Sequence, residues 1–261
     1  CKKILNAPLN ASEARKVLVE CPLDKSPGDD GLPYEFYFIM SMDANCDSPL
    51  IKWLIKVYAA AKNKKELPKS MRSIAIKLLY KNTNEYARRL MKNYRPVSLL
   101  DVDYKILSAI LNNRIKPFLD QIIDEAQVAF VKNRFIGDAT TLIQLIINWY
   151  KKIKPDSPAA ILFLDFAKAY DSVDHDFIYR VMEALDIGQD FIEWTKLGLT
   201  NTLARLIING GLTKYMKLGG GGRQGDVLFP SIFCMVVMCL TVLIESDEEI
   251  NGIPLHRRTD P

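Results

Sequence analysis

Hydrophobic positions recur every three to four residues over most of the chain, the spacing that places them on one face of a helix. This pattern predicts helices at Leu5–Cys21, Tyr34–Met40, Ile51–Lys65, Val102–Ile123, Asp138–Tyr150, Asp174–Leu185, Asp190–Leu199 and Val227–Ile244. Pro117 lies inside the fourth of these segments. Because proline lacks an amide donor, we expect it to kink that helix.

Three segments carry strand patterns instead. Ser73–Tyr80 and Ala159–Asp165 are short runs rich in apolar residues, and Leu203–Leu218 is interrupted by Asn209-Gly210-Gly211, a strong hairpin signal. Asn93–Pro96 is predicted to be a loop. The mixture of helices and strands predicts an α+β fold.

The segment Val227–Ile244 has two interpretations. It runs for eighteen residues without a charged side chain, which meets the lower limit of about 17–25 residues for a membrane span. Pro230 near its start, and Cys234, Cys239 and Thr241 inside it, favour a buried core helix. We therefore expect a core helix and no membrane association, with a membrane span as the alternative.

Composition bounds the class of protein. A chain of 261 residues with 49% hydrophobic residues can bury a sizeable core in one large domain or two small lobes. Five scattered cysteines without a Cys-x-x-Cys pair argue against a disulfide framework or a zinc site. They predict a reducing, intracellular compartment, the nucleus or the cytoplasm, and not secretion. The first residue is Cys1 rather than methionine, so we expect a fragment of a longer product.

Charge is unevenly distributed, although the net charge is only +4. The segment Ile51–Lys116 contains sixteen Lys and Arg residues against four Asp and Glu residues, and the remainder of the chain is acidic. A basic third on an acidic body is typical of a nucleic-acid groove. A solvated helical face is the alternative explanation for part of it.

The candidate chemistry is concentrated in Ala159–Asp176. A buried apolar strand that ends in the carboxylate of Asp165 would hold a hard oxygen ligand at the rim of a sheet, and Mg²⁺ prefers such oxygens beside substrate phosphates. Tyr170 and a second acid, Asp171, follow. An isolated match of this kind fits equally well an aspartate that caps the next helix, so the residues alone leave both interpretations open.

Six sequence blocks occur in a fixed order. They are SPGDDGLP (Ser26–Pro33), a basic strand ending in Tyr80-Lys81, NYRPVSLLDVDYKILSAILNNRI (Asn93–Ile115), AQVAFVKNR (Ala126–Arg134), AAILFLDFAKAYDSV (Ala159–Val173) and GGRQGDVLFPSIF (Gly221–Phe233). In this order and at these spacings they resemble the reverse transcriptase domain of non-LTR (LINE-type) retrotransposons, over roughly Cys21 to Glu249. The resemblance implies an RNA-directed DNA polymerase that acts on an RNA template, a DNA primer and dNTPs. It also implies two Mg²⁺ ions that assist nucleotide transfer to the primer 3′-hydroxyl.

The resemblance assigns residues to the metal and nucleotide sites. It makes Asp165 the first catalytic carboxylate and a metal ligand, with the backbone carbonyl of Phe166 as a further ligand. Tyr170 matches the steric gate that excludes a 2′-hydroxyl, although an ordinary core role is compatible with the same ring. Arg95 and Lys81 match the cations that bind the triphosphate.

Other assignments rest on the same resemblance. Gln224 and Gly225 match a loop that lies against the nucleotide, where glycine permits a close approach of the backbone. Four consecutive glycines, Gly219–Gly222, exceed the number expected for this loop and put the positioning of Gln224 in doubt. The residues expected to face the template or the template–primer duplex are Gly28, Gly31, Lys132 and Arg134.

The sequence departs from the family pattern after Val227–Ile244. Family members carry there a Tyr-x-Asp-Asp hairpin that supplies the second metal carboxylate, and this sequence contains no such motif. One carboxylate cannot hold two divalent cations, so we expect the chain as written to be inactive. A truncated element copy, or a frameshift just after Gly252, would account for the departure. The alternative function is a non-catalytic nucleic-acid-binding relic that uses the basic third.

The implied architecture is that of a right-hand polymerase with fingers and a partial palm. We expect residues 1–158 to form the fingers with N-terminal helices, part of the palm beginning within 101–158. Residues 159–249 would form the partial palm, and 250–261 a disordered or aberrant tail. The palm sheet is expected to be antiparallel, built from Ala159–Asp165 and the Leu203–Leu218 hairpin, with helices on one face.

Overall fold

A computed structural model describes residues 2–42, 48–81, 85–156 and 158–253. Its helices are Lys2–Leu5 (α1), Ala11–Val19 (α2), Tyr34–Ser41 (α3), Pro49–Lys64 (α4), Lys69–Arg72 (α5), Val102–Ile115 (α6), Leu119–Ile122 (α7), Ile136–Ile153 (α8), His175–Ala184 (α9), Gln189–Leu199 (α10) and Phe229–Ser246 (α11). Short 3₁₀ segments lie at Glu85–Arg89, Met91–Asn93, Lys116–Phe118 and Ala169–Ser172. The strands are Ser73–Tyr80 (β1), Tyr94–Leu100 (β2), Leu203–Ile208 (β3), Gly211–Leu212 (β4) and Met216–Lys217 (β5). Helices together with a mixed sheet agree with the predicted α+β class.

Strand β1 lies inside a sheet of strand order β2-β1-β3-β4, in which β5 also pairs with β3. It pairs antiparallel with β2, with Tyr80 opposite Tyr94, and parallel with β3, with Ser73 opposite Leu203. The expectation of a purely antiparallel sheet is therefore wrong. The long segment between β1 and β3 provides the crossover connection that a parallel pair requires.

The segment Ala159–Asp165, predicted to be the central strand, is not a strand. It is irregular, and its apolar side chains are exposed, Leu162 and Phe163 each at 80%. A strand requires a neighbour to satisfy its backbone amides and carbonyls. Among the described residues no strand pairs with this segment, so its local β-propensity is not realised.

The predicted loop Asn93–Pro96 is also wrong, because Tyr94 begins strand β2. Proline cannot donate to a ladder, which is why a central strand excludes it. Strand β2 lies at an edge of the sheet, where Pro96 is tolerated opposite Leu78. Pro96 therefore marks an edge strand and not a loop.

The predicted helices are present with shifted boundaries. The first, Leu5–Cys21, divides into α1 and α2, and Asn10 caps α2 in a reciprocal pair of hydrogen bonds with Glu13. Pro117 falls in the 3₁₀ segment between α6 and α7, which confirms the kink.

Helix α6 forms the centre of the core, since buried residues occupy both its faces, among them Ile106, Leu107, Ile110 and Leu111. Near its end the guanidinium of Arg114, 4% exposed, donates two hydrogen bonds to Glu13, at 2.6 and 2.8 Å. It donates another to the carbonyl of Pro8. This bidentate pair ties α2 and the turn before it to the core.

Helix α11 is buried only in its first half. Phe229, Ile232 and Met235 are buried, whereas Leu243 is 65% exposed. The prediction of a core helix therefore holds for the first half and is wrong for the second. By length and composition alone α11 could cross a membrane, which is weak evidence because soluble core helices meet the same criterion.

Two carboxylates lie in buried surroundings at the start of α6. Asp101 is 1% exposed and accepts a hydrogen bond from the amide of Asp30 at 3.2 Å. Burial raises the pKa of Asp101 to about 7, despite the hydrogen bond from that amide, which lowers it. Burial likewise raises the pKa of Asp103 to about 6.

We expect Asp101→Asn to flatten the pH dependence of stability. The pKa of Asp101 rises on folding from an ordinary 3.8 to about 7, so the folded chain binds more protons than the unfolded chain in this window. The free energy of unfolding should therefore fall as the pH rises from about 4 to about 7. Asparagine keeps an acceptor oxygen for the Asp30 amide, so the fold should survive.

Chemical denaturation at several pH values measures this slope. The exposed Asp156→Asn variant is the matched control and should behave as the unsubstituted chain. Equal slopes for Asp101→Asn and the unsubstituted chain would contradict the assignment.

Candidate functional site

A cavity of about 740 Å³ opens between the β1–β2 hairpin and the 3₁₀ turn Ala169–Ser172. Most of its polar lining is cationic or can donate hydrogen bonds. The polar side chains that line it are Lys81, Lys92, Tyr94, Arg95, Lys168, Tyr170, Asp171 and Gln224.

Four of the predicted nucleotide-binding residues, Lys81, Arg95, Tyr170 and Gln224, line this cavity together. They come from four separate parts of the sequence, so their meeting is a property of the fold. The other two, Phe166 and Gly225, and the predicted catalytic carboxylate of Asp165 are not among its lining residues. The roles of all seven remain predictions.

The β1–β2 hairpin presents the two predicted phosphate ligands. Tyr80 and Tyr94 face each other with ring centroids 5.3 Å apart. Just beyond this pair the amide of Lys81 donates to the carbonyl of Asn93 at 2.9 Å. Lys81 and Arg95 therefore flank the last rung of a two-stranded ladder, which restricts their backbone positions.

The ring of Tyr170 packs against α11 while it lines the cavity. Its centroid lies 5.3 Å from that of Phe229 and 4.9 Å from that of Phe233, both in edge-to-face geometry. Burial raises the pKa of the Tyr170 hydroxyl above its ordinary value. The core role and the cavity role proposed for this ring are compatible.

Close backbone contacts hold the glycine loop against the Tyr170 turn. The amide of Gly222 donates to the Tyr170 carbonyl at 2.8 Å, and that of Gly221 to the Val173 carbonyl at 3.0 Å. Gly221 has φ +72°, and a Cβ there would lie 2.6 Å from the Cα of Asp171. A Cβ on Gly222 would lie 2.2 Å from the Phe229 ring. The expectation that the loop has more glycines than it needs is therefore wrong for Gly221 and Gly222, because both lie in this close approach. The positioning of Gln224 stays a prediction.

His175 is a residue that sequence reasoning missed. Its Nε2 lies 2.8 Å from the carbonyl oxygen of Gly221. A carbonyl only accepts, so Nε2 carries the proton in this contact. The sequence gives no signal of this contact with the glycine loop, because His175 and Gly221 are 46 residues apart.

Two buried charged residues flank Gln224 and Gly225, and sequence reasoning missed both as anchors. Arg223 is 3% exposed, stacks over the ring of Tyr104 at 4.1 Å and donates to the Met71 carbonyl at 2.7 Å. Asp226 accepts hydrogen bonds from the Tyr104 hydroxyl at 2.6 Å and from Ser108. The amide of Asp226 also donates to the Arg223 carbonyl at 2.9 Å, which closes a turn around Gln224 and Gly225.

Gly225, at the tip of this turn, lies against strand β2. Its φ is +102°, and a Cβ there would lie 3.2 Å from the carbonyl oxygen of Ser98. The turn is thus held between the strand that carries Arg95 and the turn that carries Tyr170.

The two glycines predicted to face the template differ in their surroundings. Gly28 packs against Asp101, whose Oδ1 would lie 2.0 Å from a Cβ on that glycine. Gly31, with φ +74°, has open space around it. Asp29, which lies between them, accepts hydrogen bonds from the Arg205 guanidinium and from the Tyr215 hydroxyl. Because Arg205 belongs to β3, these bonds anchor the loop that contains both glycines to that strand.

Lys132 and Arg134, predicted to contact the duplex, also differ. Lys132 is exposed and lines a second cavity of about 310 Å³. Arg134 donates to the Asp120 carboxylate at 2.9 Å and to the carbonyls of Ile123 and Gln127 at 3.0 and 2.8 Å. In this arrangement the guanidinium of Arg134 holds its own loop, and its contact with a duplex stays a prediction.

The described residues do not fit a two-metal site. Asp165 is an exposed carboxylate in an irregular segment, and no group of three or more His, Cys, Asp or Glu side chains in the described part of the chain could hold a metal ion. Cys21, Cys234 and Cys239 are free thiols, and Cys1 and Cys46 lie outside the described residues. Most of the predicted tail, residues 254–261, lies outside them too.

Comparison with known proteins identifies the class. The sequence profile of the family described as "Reverse transcriptase (RNA-dependent DNA polymerase)" matches residues 63–251, so the chain belongs to that family. Members of that family generally use Mg²⁺ and act on an RNA template and a DNA primer.

The relatives belong to transposable elements. The chain is 32% identical over 242 residues to "Transposon TX1 uncharacterized 149 kDa protein" of Xenopus laevis, which covers 92% of this chain and 18% of that protein. It is 24% identical over 163 residues to "Retrovirus-related Pol polyprotein from type-1 retrotransposable element R2" of Popillia japonica, which covers 61% of this chain and 22% of the relative. For the corresponding protein of element R2DM of Drosophila melanogaster, the identity is 26% over 146 residues, with coverage of 56% and 13%.

These matches confirm the prediction of a reverse transcriptase domain of the non-LTR retrotransposon type. The chain spans less than a quarter of the length of each of these relatives.

We expect Gly221→Ala to destabilise the chain. The substituted Cβ would meet the backbone of Asp171 in a conformation that favours glycine, so the free energy of unfolding should fall by about 1–3 kcal/mol. Gly219→Ala is the matched control, since open space surrounds Gly219 and its φ is not in the left-handed region. Denaturant titrations compare the two, and equal stabilities would show that the loop does not pack as described.

Proposed function

We propose that the cavity binds an incoming dNTP and that the chain is part of the polymerase domain of a non-LTR retrotransposon protein. The observation that carries the proposal is the meeting of Lys81, Arg95, Tyr170 and Gln224 around one cavity. Arginine and lysine supply the cations that phosphate oxygens require, and an aromatic ring with an amide suits a sugar and a base edge.

In this proposal the β1–β2 hairpin belongs to the fingers, and the Tyr170 turn with α11 belongs to the palm. The boundary between residues 158 and 159 is part of the proposal. The sheet crosses that boundary, because β1 pairs with β3. Fingers and palm would therefore share one sheet at the base of the cavity.

The basic third, Ile51–Lys116, is proposed to face the RNA template and the DNA primer. Neutralised phosphates release counterions, so affinity should depend strongly on salt. The free thiols of Cys21, Cys234 and Cys239 support the further proposal of a reducing, intracellular location.

We expect Arg95→Gln to weaken dNTP binding by about tenfold or more, the effect of losing a charged hydrogen bond to phosphate. Isothermal calorimetry with the full chain measures the dissociation constant. Arg89→Gln is the matched control, because Arg89 is exposed and does not line the cavity. Equal losses in both variants would argue against a specific nucleotide site.

Catalysis is proposed separately, because Asp165 is the one carboxylate that the family resemblance assigns to a metal ion and this sequence has no Tyr-x-Asp-Asp motif. The 261-residue chain is therefore proposed to bind nucleic acid without extending a primer. The same observation favours the second candidate function, a non-catalytic nucleic-acid-binding relic.

We expect an RNA–DNA hybrid to bind the chain with a steep salt dependence, and primer extension on an RNA template to remain at background. Asp165→Ala should bind the hybrid as the unsubstituted chain does. Mg²⁺-dependent extension that Asp165→Ala abolishes would refute inactivity and exclude the relic.

A further inference from the structure

The cavity carries more positive charge than Lys81 and Arg95 supply. Lys92, in the 3₁₀ segment before β2, and Lys168, at the entry to the Tyr170 turn, line it as well. Asp171 is the single carboxylate among the lining residues, which leaves a surplus of three positive charges. None of the four cations forms an ion pair within the described part of the chain. Clustered, unpaired cations of this kind favour a ligand of several negative charges.

The backbone of Lys168 is unusual. Its φ and ψ are 54° and 47°, the left-handed region, which costs a non-glycine residue about 1–2 kcal/mol. The conformation is required by the turn, because the Lys168 carbonyl accepts from the amides of Asp171 and Ser172 at 2.9 and 3.0 Å. Glycine would meet this requirement without strain. The turn explains the conformation, but it does not explain a long cationic side chain at this position.

We propose that Lys168 binds the polyphosphate tail of the nucleotide, from the same turn that presents Tyr170. This inference rests on the proposed nucleotide site and adds a ligand that the resemblance does not assign. Lys168 and Tyr170 are two residues apart, so one rigid turn contacts both the phosphate end and the sugar end of the ligand. Lys81, Lys92 and Arg95 approach the phosphates from the hairpin.

The left-handed backbone makes a sharp test possible. If Lys168 has only a structural role, its replacement by glycine should leave ligand affinity unchanged. The free energy of unfolding should rise, because glycine adopts the left-handed backbone without strain. A phosphate-binding lysine behaves differently: Lys168→Gly should keep or raise the free energy of unfolding and yet weaken binding. Lys65 is the matched control, since it also has a left-handed backbone, with φ 54°, and does not line this cavity.

The experiment measures affinity for dATP and for inorganic tripolyphosphate by calorimetry with the full chain. EDTA in the buffer restricts the measurement to contacts made by side chains. We expect Lys168→Gly to lower the affinity for both ligands by about tenfold, which is the effect of losing one charged hydrogen bond. Lys168→Arg, which keeps the charge, should stay within about twofold of the unsubstituted chain by the same reasoning. Lys65→Gly should gain stability and keep the affinity of the unsubstituted chain for dATP and for tripolyphosphate, since Lys65 lies outside the cavity.

The possible failures can be told apart. If Arg95→Gln weakens binding and Lys168→Gly does not, the inference is overturned and the nucleotide site stands. If Lys168→Gly lowers the affinity for dATP but not that for tripolyphosphate, Lys168 does not bind the phosphates and the inference is overturned. If the unsubstituted chain binds neither ligand, or if Arg95→Gln and Lys168→Gly both bind normally, the nucleotide site and the inference are overturned together.

Discussion

The buried contact among Arg223, Tyr104 and Asp226 holds the turn on which the candidate site depends. Charged groups taken out of water require partners inside the protein. Arg223 finds them in the Tyr104 ring and the Met71 carbonyl, and Asp226 in the Tyr104 hydroxyl and Ser108. These contacts form only when helices α5 and α6 and the glycine loop have come together, and Nη2 of Arg223 stays buried without a hydrogen-bond partner among the described residues. The backbone turn that carries Gln224 is therefore held by polar residues of the core.

Close approach of backbones completes the same site. Gly221 packs against the Asp171 backbone, Gly225 against Ser98, and the ring of His175 contacts the Gly221 carbonyl. A side chain at either glycine would separate strand β2 from the Tyr170 turn and so change the width of the cavity. The cavity thus depends on contacts between segments that are distant in sequence.

The cationic part and the metal-binding part of the candidate site differ in this structure. The cationic part of the site is formed, since four cations line one cavity. The metal-binding part is not formed among the described residues, because Asp165 lies in an exposed, unpaired segment. Phosphate recognition needs only correctly placed cations, whereas a two-metal site needs several carboxylates in one rigid frame. Two apolar segments also remain exposed, the run before Asp165 and the second half of α11. No described residues cover them.

The sequence by itself determined the local elements and the family. Helical periodicity placed most helices, Pro117 marked the kink, and ordered motifs such as Tyr94-Arg95-Pro96 and Arg223-Gln224-Gly225 identified a reverse transcriptase. Tertiary structure decided the two segments for which the local pattern was misleading, because a strand exists only with a paired neighbour: Tyr94–Leu100 pairs with β1, and Ala159–Asp165 has no such neighbour among the described residues. It alone also placed His175 and Lys168 at the site, since neither a hydrogen-bond partner 46 residues away nor a left-handed backbone can be read from residue spacing.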